Sequence, residues 1–301
     1  MNVLNQQVHL PILKDKKVTL YIKREDKIHP FISGNKYRKL KYNLIKAQSS
    51  GVKKMLTFGG AYSNHIAATA YAGGINGFST VGIIRGEEIA NKWEKNPTLV
   101  FAKDNGMQFK FISRALYKEK DSVIFLNELQ NEFGSCYILP EGGANIFGVK
   151  GCEEILTQED STFDIISCCV GTGGTVAGII NASTHNQKIL GFSALKGDFL
   201  KDEIRKFASK ENWALQSDYH FGGYGKINAE LITFINDFKE KTTIPLDPIY
   251  TGKMLFGILD LVRKNYFEPH TKILVIHTGG LQGIAGMNSI LKKKKLPLID
   301  I

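Results

Sequence analysis

Ile165-Ile166-Ser167-Cys168-Cys169-Val170-Gly171-Thr172-Gly173-Gly174-Thr175-Val176 is the stretch that decides the fold of this chain. Its first six residues are a short, almost wholly apolar run, which reads as a strand covered on both faces. The glycines at 171, 173 and 174 end that strand in a turn. Residues 176–182 then read as a helix and 189–194 as a further strand. A strand, tight turn, helix and second strand form a crossover unit, and crossovers of this kind build parallel sheets flanked by helices.

The same rhythm extends in both directions. Residues 18–23 alternate apolar and polar and predict a strand. Residues 34–48 predict a helix with Leu40, Leu44 and Ile45 on one face. Strands are expected at 55–58, 80–85, 108–112 and 137–139, with helices starting at Asn64 and covering 99–105. Residues 272–277 form the last strand. The expected fold class is therefore α/β, in two lobes, with the chain crossing between them at Pro140-Glu141-Gly142-Gly143. A length of 301 residues suits two such lobes.

Composition narrows the function classes. Hydrophobic residues make up 43% and charged residues 23%, ordinary for a folded soluble protein. The net charge of +10 comes from 39 Lys and Arg against 29 Asp and Glu. The cations are scattered, the one tight run being Lys292 to Lys295, and no nucleic-acid reading motif accompanies them. Neither a nucleic-acid nor a membrane partner is expected, and no apolar run approaches the ~20 residues that cross a bilayer. Residues 1–13 lack a signal-peptide core. The four cysteines, Cys136, Cys152, Cys168 and Cys169, form no C-x-x-C pair, and a reduced cytoplasmic location is expected.

Four glycine-associated motifs flank the predicted strands. Gly34-Asn35-Lys36-Tyr37-Arg38-Lys39-Leu40 places a lysine among other cations at a helix mouth. A lowered pKa there yields the neutral amine that Schiff-base chemistry requires, whereas a basic surface helix is the plain alternative. Gly59-Gly60-Ala61-Tyr62-Ser63-Asn64-His65 ends a strand and starts a helix. It suits an anion at the helix N-terminus, or simply an N-cap. His65 has no second ligand at metal spacing and reads as a core histidine or a support for its neighbours.

Gly171 to Thr175 offers backbone amides and hydroxyls to a phosphate, or forms only a tight turn. It is no P-loop, since no Gly-Lys-Ser/Thr follows, and Val176 occupies the third-glycine position of a dinucleotide fingerprint. His277-Thr278-Gly279-Gly280 suggests close backbone approach after the last strand.

In this order the motifs resemble the tryptophan-synthase-β-type (fold type II) pyridoxal-phosphate enzymes, over nearly the whole chain, from about Pro11 to about Asn288. Gly34-Asn35-Lys36-x-Arg38-Lys39-Leu40 resembles the branch holding 1-aminocyclopropane-1-carboxylate (ACC) deaminase and D-cysteine desulfhydrase. The resemblance implies pyridoxal 5'-phosphate as cofactor and a small amino acid as substrate. It implies that Lys36 carries the cofactor as a Schiff base and moves the substrate α-proton. Asn64 would bond the phenolic oxygen, while Lys39 with Gly171, Thr172, Gly173, Gly174 and Thr175 would bind the phosphate. Ser63 would hold the substrate carboxylate or assist proton transfer. Tyr224 and Tyr250 match the two active-site tyrosines of the branch.

Thr251 and Thr278 stand where the ACC deaminase pattern has glutamate and leucine. Hydroxyls near the pyridine nitrogen leave the ring closer to neutral, which suits β-elimination better than opening a cyclopropane. The expectation is a lyase that performs α,β-elimination on D-cysteine, giving pyruvate, ammonia and hydrogen sulfide. ACC deamination, or elimination from D-serine or a chloro analogue, is the runner-up. A non-catalytic basic binding protein is the reading from another class. The expected lobes are residues 1–40 with 145–301, and an inserted 41–144; a homodimer is expected.

Overall fold

The computed structural model describes residues 3–197 and 199–300. Its ten strands are β1 (Asn5–Val8), β2 (Thr19–Lys23), β3 (Lys54–Gly60), β4 (Ser79–Arg85), β5 (Gln108–Ile112), β6 (Tyr137–Leu139), β7 (Ile165–Val170), β8 (Lys188–Ser193), β9 (Trp213–Gln216) and β10 (Lys272–Ile276). They form two sheets, a six-stranded one in the order β1-β2-β10-β7-β8-β9 and a four-stranded one in the order β5-β4-β3-β6. Every pairing is parallel except β1 with β2. The fold is the α/β arrangement of parallel sheets flanked by helices.

Alternation along the strands accounts for the helical layers. On β10, Ile273 and Val275 join a core beneath the helices Ala229–Thr242, Thr251–Arg263 and Gly283–Lys293. Leu274 and Ile276 point the other way, into a core shared with the helices Gly174–Ala182 and Leu200–Arg205. On the smaller sheet, Leu56, Phe58, Val81 and Ile83 pack with Phe125 and Leu129, while Ile84 meets Leu99 and Ala102 on the opposite face. The expected lobe division at residue 40 falls within the continuous helix Asn35–Ser49.

Lys23, at the end of β2, is buried and lies 2.6 Å from the buried Asp160. The other Asp160 oxygen accepts from Asn5 Nδ2 at 2.7 Å, and Thr157 N donates to Oδ2 at 2.8 Å. This carboxylate ties β1, β2 and the segment before β7 together.

Candidate active site

The strands β3, β4, β7 and β10 all point their carboxyl ends at one region, where ligands collect in open parallel sheets. A cavity of about 620 Å³ opens there. Its lining draws on the helix start at Asn35–Ser49, the Ser63 turn, the loop after β7, and the segment after β10.

Lys36 sits in the first turn of its helix. The preceding Gly34 has φ +61°, and a β-carbon there would stand 1.8 Å from the Thr278 carbonyl oxygen. Only glycine permits this approach, which locks the lysine helix to the end of β10. Lys36 Nζ donates to Asn35 Oδ1 at 3.1 Å, and Asn35 Nδ2 donates to Thr175 Oγ1 at 2.7 Å. No carboxylate among the described residues pairs with this amine. Burial, and secondarily the charge of Lys39, lower the Lys36 pKa to about 7.

Lys39, one turn on, is buried and its pKa is lowered by burial. Its Nζ donates to the Gly142 carbonyl at 3.0 Å and lies 3.5 Å from Thr172 Oγ1. The same Nζ lies 3.3 Å from where a β-carbon on Gly174 would stand. The loop after β7 thus brings amides, two threonine hydroxyls and an ammonium to one place. Gly173 holds φ +78°, and a β-carbon there would press within 3.2 Å of the Glu203 and Ile204 backbone.

Ser63 is the N-cap of the helix Asn64–Ile75, its Oγ accepting from His65 N at 3.2 Å and Ile66 N at 3.3 Å. It also lines the cavity, so the cap and the anion-site readings describe one group whose O–H is still free to donate. Asn64 Oδ1 is buried with no partner among the described residues. His65 lies behind this turn, its Nε2 2.8 Å from Thr57 Oγ1, which itself donates to the Leu139 carbonyl. Burial, then the charges of Lys36 and Lys39, hold its pKa well below the usual histidine range. His65 is therefore neutral.

Tyr224 and Tyr250 meet edge to face with ring centroids 6.1 Å apart, and both line the cavity. Burial raises the pKa of each, so both carry their protons near neutral pH. Thr278 Oγ1 lies 3.0 Å from Cys169 Sγ on the wall beside them.

Thr251 is placed elsewhere. It is fully buried and does not line the cavity. Its hydroxyl donates to Asp247 Oδ1 at 2.7 Å and accepts from Asp247 N at 2.9 Å. Asp247 is consumed in turn by the Ile249, Tyr250 and Thr251 amides at 2.8–3.0 Å. This Asx-type knot starts the helix Thr251–Arg263, so Thr251 serves the helix start rather than the cavity wall. Asn35 and Arg85 are among the lining residues to which no role was assigned from sequence. Asn35 has its partner Thr175 far along the chain, and Arg85 ends β4 with no local motif around it.

A neutral-prone amine beside a loop of amides, hydroxyls and a second lysine suits an anionic, carbonyl-bearing cofactor. Comparison makes the class specific: the chain belongs to the family of pyridoxal-phosphate dependent enzymes, which matches residues 5–279. A protein of Pyrococcus horikoshii named "Putative 1-aminocyclopropane-1-carboxylate deaminase" is 34% identical over 91% of this chain and 89% of its own length. A mitochondrial bifunctional D-cysteine desulfhydrase/1-aminocyclopropane-1-carboxylate deaminase of Arabidopsis thaliana is 30% identical over 88% of this chain and 73% of its own. The crystal structure of an ACC deaminase homologue superposes with a TM-score of 0.83 at 28% identity, over 97% of this chain and 94% of that one. The enzyme is thus pyridoxal-phosphate dependent. Its site fits that cofactor: Lys36 lacks a carboxylate partner, Asn64 Oδ1 is unsatisfied, and no side chain at 173 obstructs the loop.

Proposed function

We propose that this enzyme eliminates the thiol and amino groups of D-cysteine, which with one water yields pyruvate, ammonia and hydrogen sulfide. The observation that carries the reading is the neutral wall around Thr278. Thr278 and Cys169 are the groups there, and the nearby Asp247 is fully engaged by its own helix start. With no carboxylate bonded to Thr278 among the described residues, this wall suits departure of a good leaving group such as hydrosulfide. The desulfhydrase half of the Arabidopsis relative's name supports it.

When bound, pyridoxal phosphate supplies the electron sink for ionisation at the substrate α-carbon. The chain supplies the rest. Lys39, Thr172, Thr175 and the amides of Gly171 to Gly174 hold the phosphate; Lys36 Nζ holds the cofactor; the Asn64 amide orients it. The Lys36 amine would be the base that takes the α-proton, and a pKa of about 7 matches that task at neutral pH. The Ser63 hydroxyl and the helix start behind it bind the substrate carboxylate. Tyr224 and Tyr250, both protonated, are the proton donors nearest the departing group.

ACC deamination is the second reading, favoured by the Pyrococcus relative and the crystallographic homologue. A panel of D-cysteine, L-cysteine, D-serine and ACC, assayed for keto acid and sulfide on the loaded enzyme, separates the two. Sulfide and pyruvate from D-cysteine, with little 2-oxobutanoate from ACC, is the expected result. Turnover of ACC at a rate equal to D-cysteine overturns it.

A further inference from the structure

The cations at the mouth of the cavity fall into two groups. Lys120 Nζ lies 3.3 Å from Asp121 and 3.7 Å from Glu141, and Lys206 Nζ lies 2.6 Å from Glu203. Arg85 lines the same cavity, yet among the described residues its only partner is the face of Tyr117, 5.4 Å away. Arg85 is half-buried there, and a planar guanidinium fork free of a carboxylate is built to receive anionic oxygens.

The position is specific. Arg85 is in register with Gly60 across β3 and β4. Its Nη2 lies 3.5 Å from where a β-carbon on Gly60 would stand. Gly60 opens the turn to Ser63, its carbonyl accepting from Ser63 N at 3.0 Å. The Arg85 charge also acts on Tyr224, partly offsetting the effect of burial on that hydroxyl. The guanidinium therefore stands beside the Ser63 turn, on the Tyr224 side of the site.

We propose that Arg85 is a specificity residue that receives an ionised substituent on the substrate β-carbon, while the Ser63 turn receives the α-carboxylate. This rests on the substrate being a small amino acid bound between those two elements. The substrates it favours carry a thiolate, carboxylate or sulfonate at that position. A cysteine thiol, with an ordinary pKa of about 8.5, is drawn toward the thiolate beside a guanidinium, and a proton from Tyr224 or Tyr250 reaches the sulfur as the carbon–sulfur bond breaks, so that hydrosulfide departs. Serine and ACC offer nothing there that ionises near neutral pH.

The test uses acids without an amino group, so that binding is read apart from turnover. Calorimetric titration of the loaded enzyme compares propanoate with 3-sulfopropanoate. Wild type is expected to bind the sulfonate about tenfold or more tightly than propanoate, the scale of a charge-assisted hydrogen-bond pair. Arg85→Met removes that preference and leaves propanoate affinity within about twofold, while Arg85→Lys keeps part of the preference. Equal loss for both acids in Arg85→Met overturns the proposal, because Arg85 then holds the α-carboxylate. Absence of any preference in wild type overturns it without recourse to a variant. Sulfonate preference in an enzyme inert toward D-cysteine removes the proposed reaction but leaves this assignment standing.

Discussion

Two corners of this enzyme each hold a lysine, and they treat it in opposite ways. Lys23 lies against the Asp160 carboxylate at 2.6 Å, and that carboxylate is itself held by Asn5 and Thr157. Lys36 has an amide oxygen at 3.1 Å and a second lysine one turn away. The first arrangement matches a charge with a charge and fixes strands in place. The second withholds the counter-charge, and burial then brings the amine to a pKa of about 7. Lys23 is buried and Lys36 half-buried in the cavity wall, and the partner decides whether the lysine serves structure or chemistry.

The comparison can be broken from either side. The largest effect is expected at Lys36. Lys36→Ala should abolish turnover while the thermal transition stays near that of wild type, because no ion pair is lost. A collapse of stability in this variant would place Lys36 with Lys23 as a structural cation. Asp160→Asn should do the reverse. It strands Lys23 unpaired and should cost about 3–5 kcal/mol of unfolding free energy, measured by denaturant titration. Cofactor affinity of the folded fraction should not change.

A smaller effect is expected on the substrate side of the cavity. Ser63→Ala removes a helix cap and a donor to the substrate carboxylate, but touches neither lysine. The cofactor's visible band should persist, while kcat/KM falls by roughly ten- to a hundredfold, or about 1.5–3 kcal/mol. Unchanged kinetics would leave Ser63 as a cap alone. The mildest test is pH. In the cofactor-free protein the reactive form of Lys36 is the neutral amine, whose fraction grows as pH rises through about 7. Below that point, the rate of cofactor attachment should rise about tenfold per pH unit, and above it the rate should level off. Attachment that goes on rising steeply beyond pH 9 would mean that burial does not lower this amine.

The comparison also shows what was legible in the sequence. Strand β7 and its glycine loop were readable because an apolar run ending in glycines has few other solutions in a parallel sheet. β3 and β4 were found within two residues of their ends for the same reason. The short edge strands β1 and β9 were not, since β1 opens on three polar residues and the four residues of β9 are all half-buried. In the site, Lys36, Lys39 and Ser63 stood out because each sits in a local motif. Thr251 was misplaced because its role is set by Asp247, four residues upstream, through a hydrogen-bond knot that the motif does not display. Asn35 was legible only as the motif neighbour of Lys36, since its partner lies across the fold, and Arg85 gave no local signal, since what marks it is the lack of a carboxylate partner among the described residues.

The claim that Lys36 is the reactive member of this pair has one direct test. The loaded enzyme is reduced with borohydride, digested, and its peptides examined by mass spectrometry. A pyridoxyl adduct is expected on the peptide containing Lys36 and none on that containing Lys23. An adduct on Lys39, Lys53 or Lys54, with Lys36 unmodified, would contradict it.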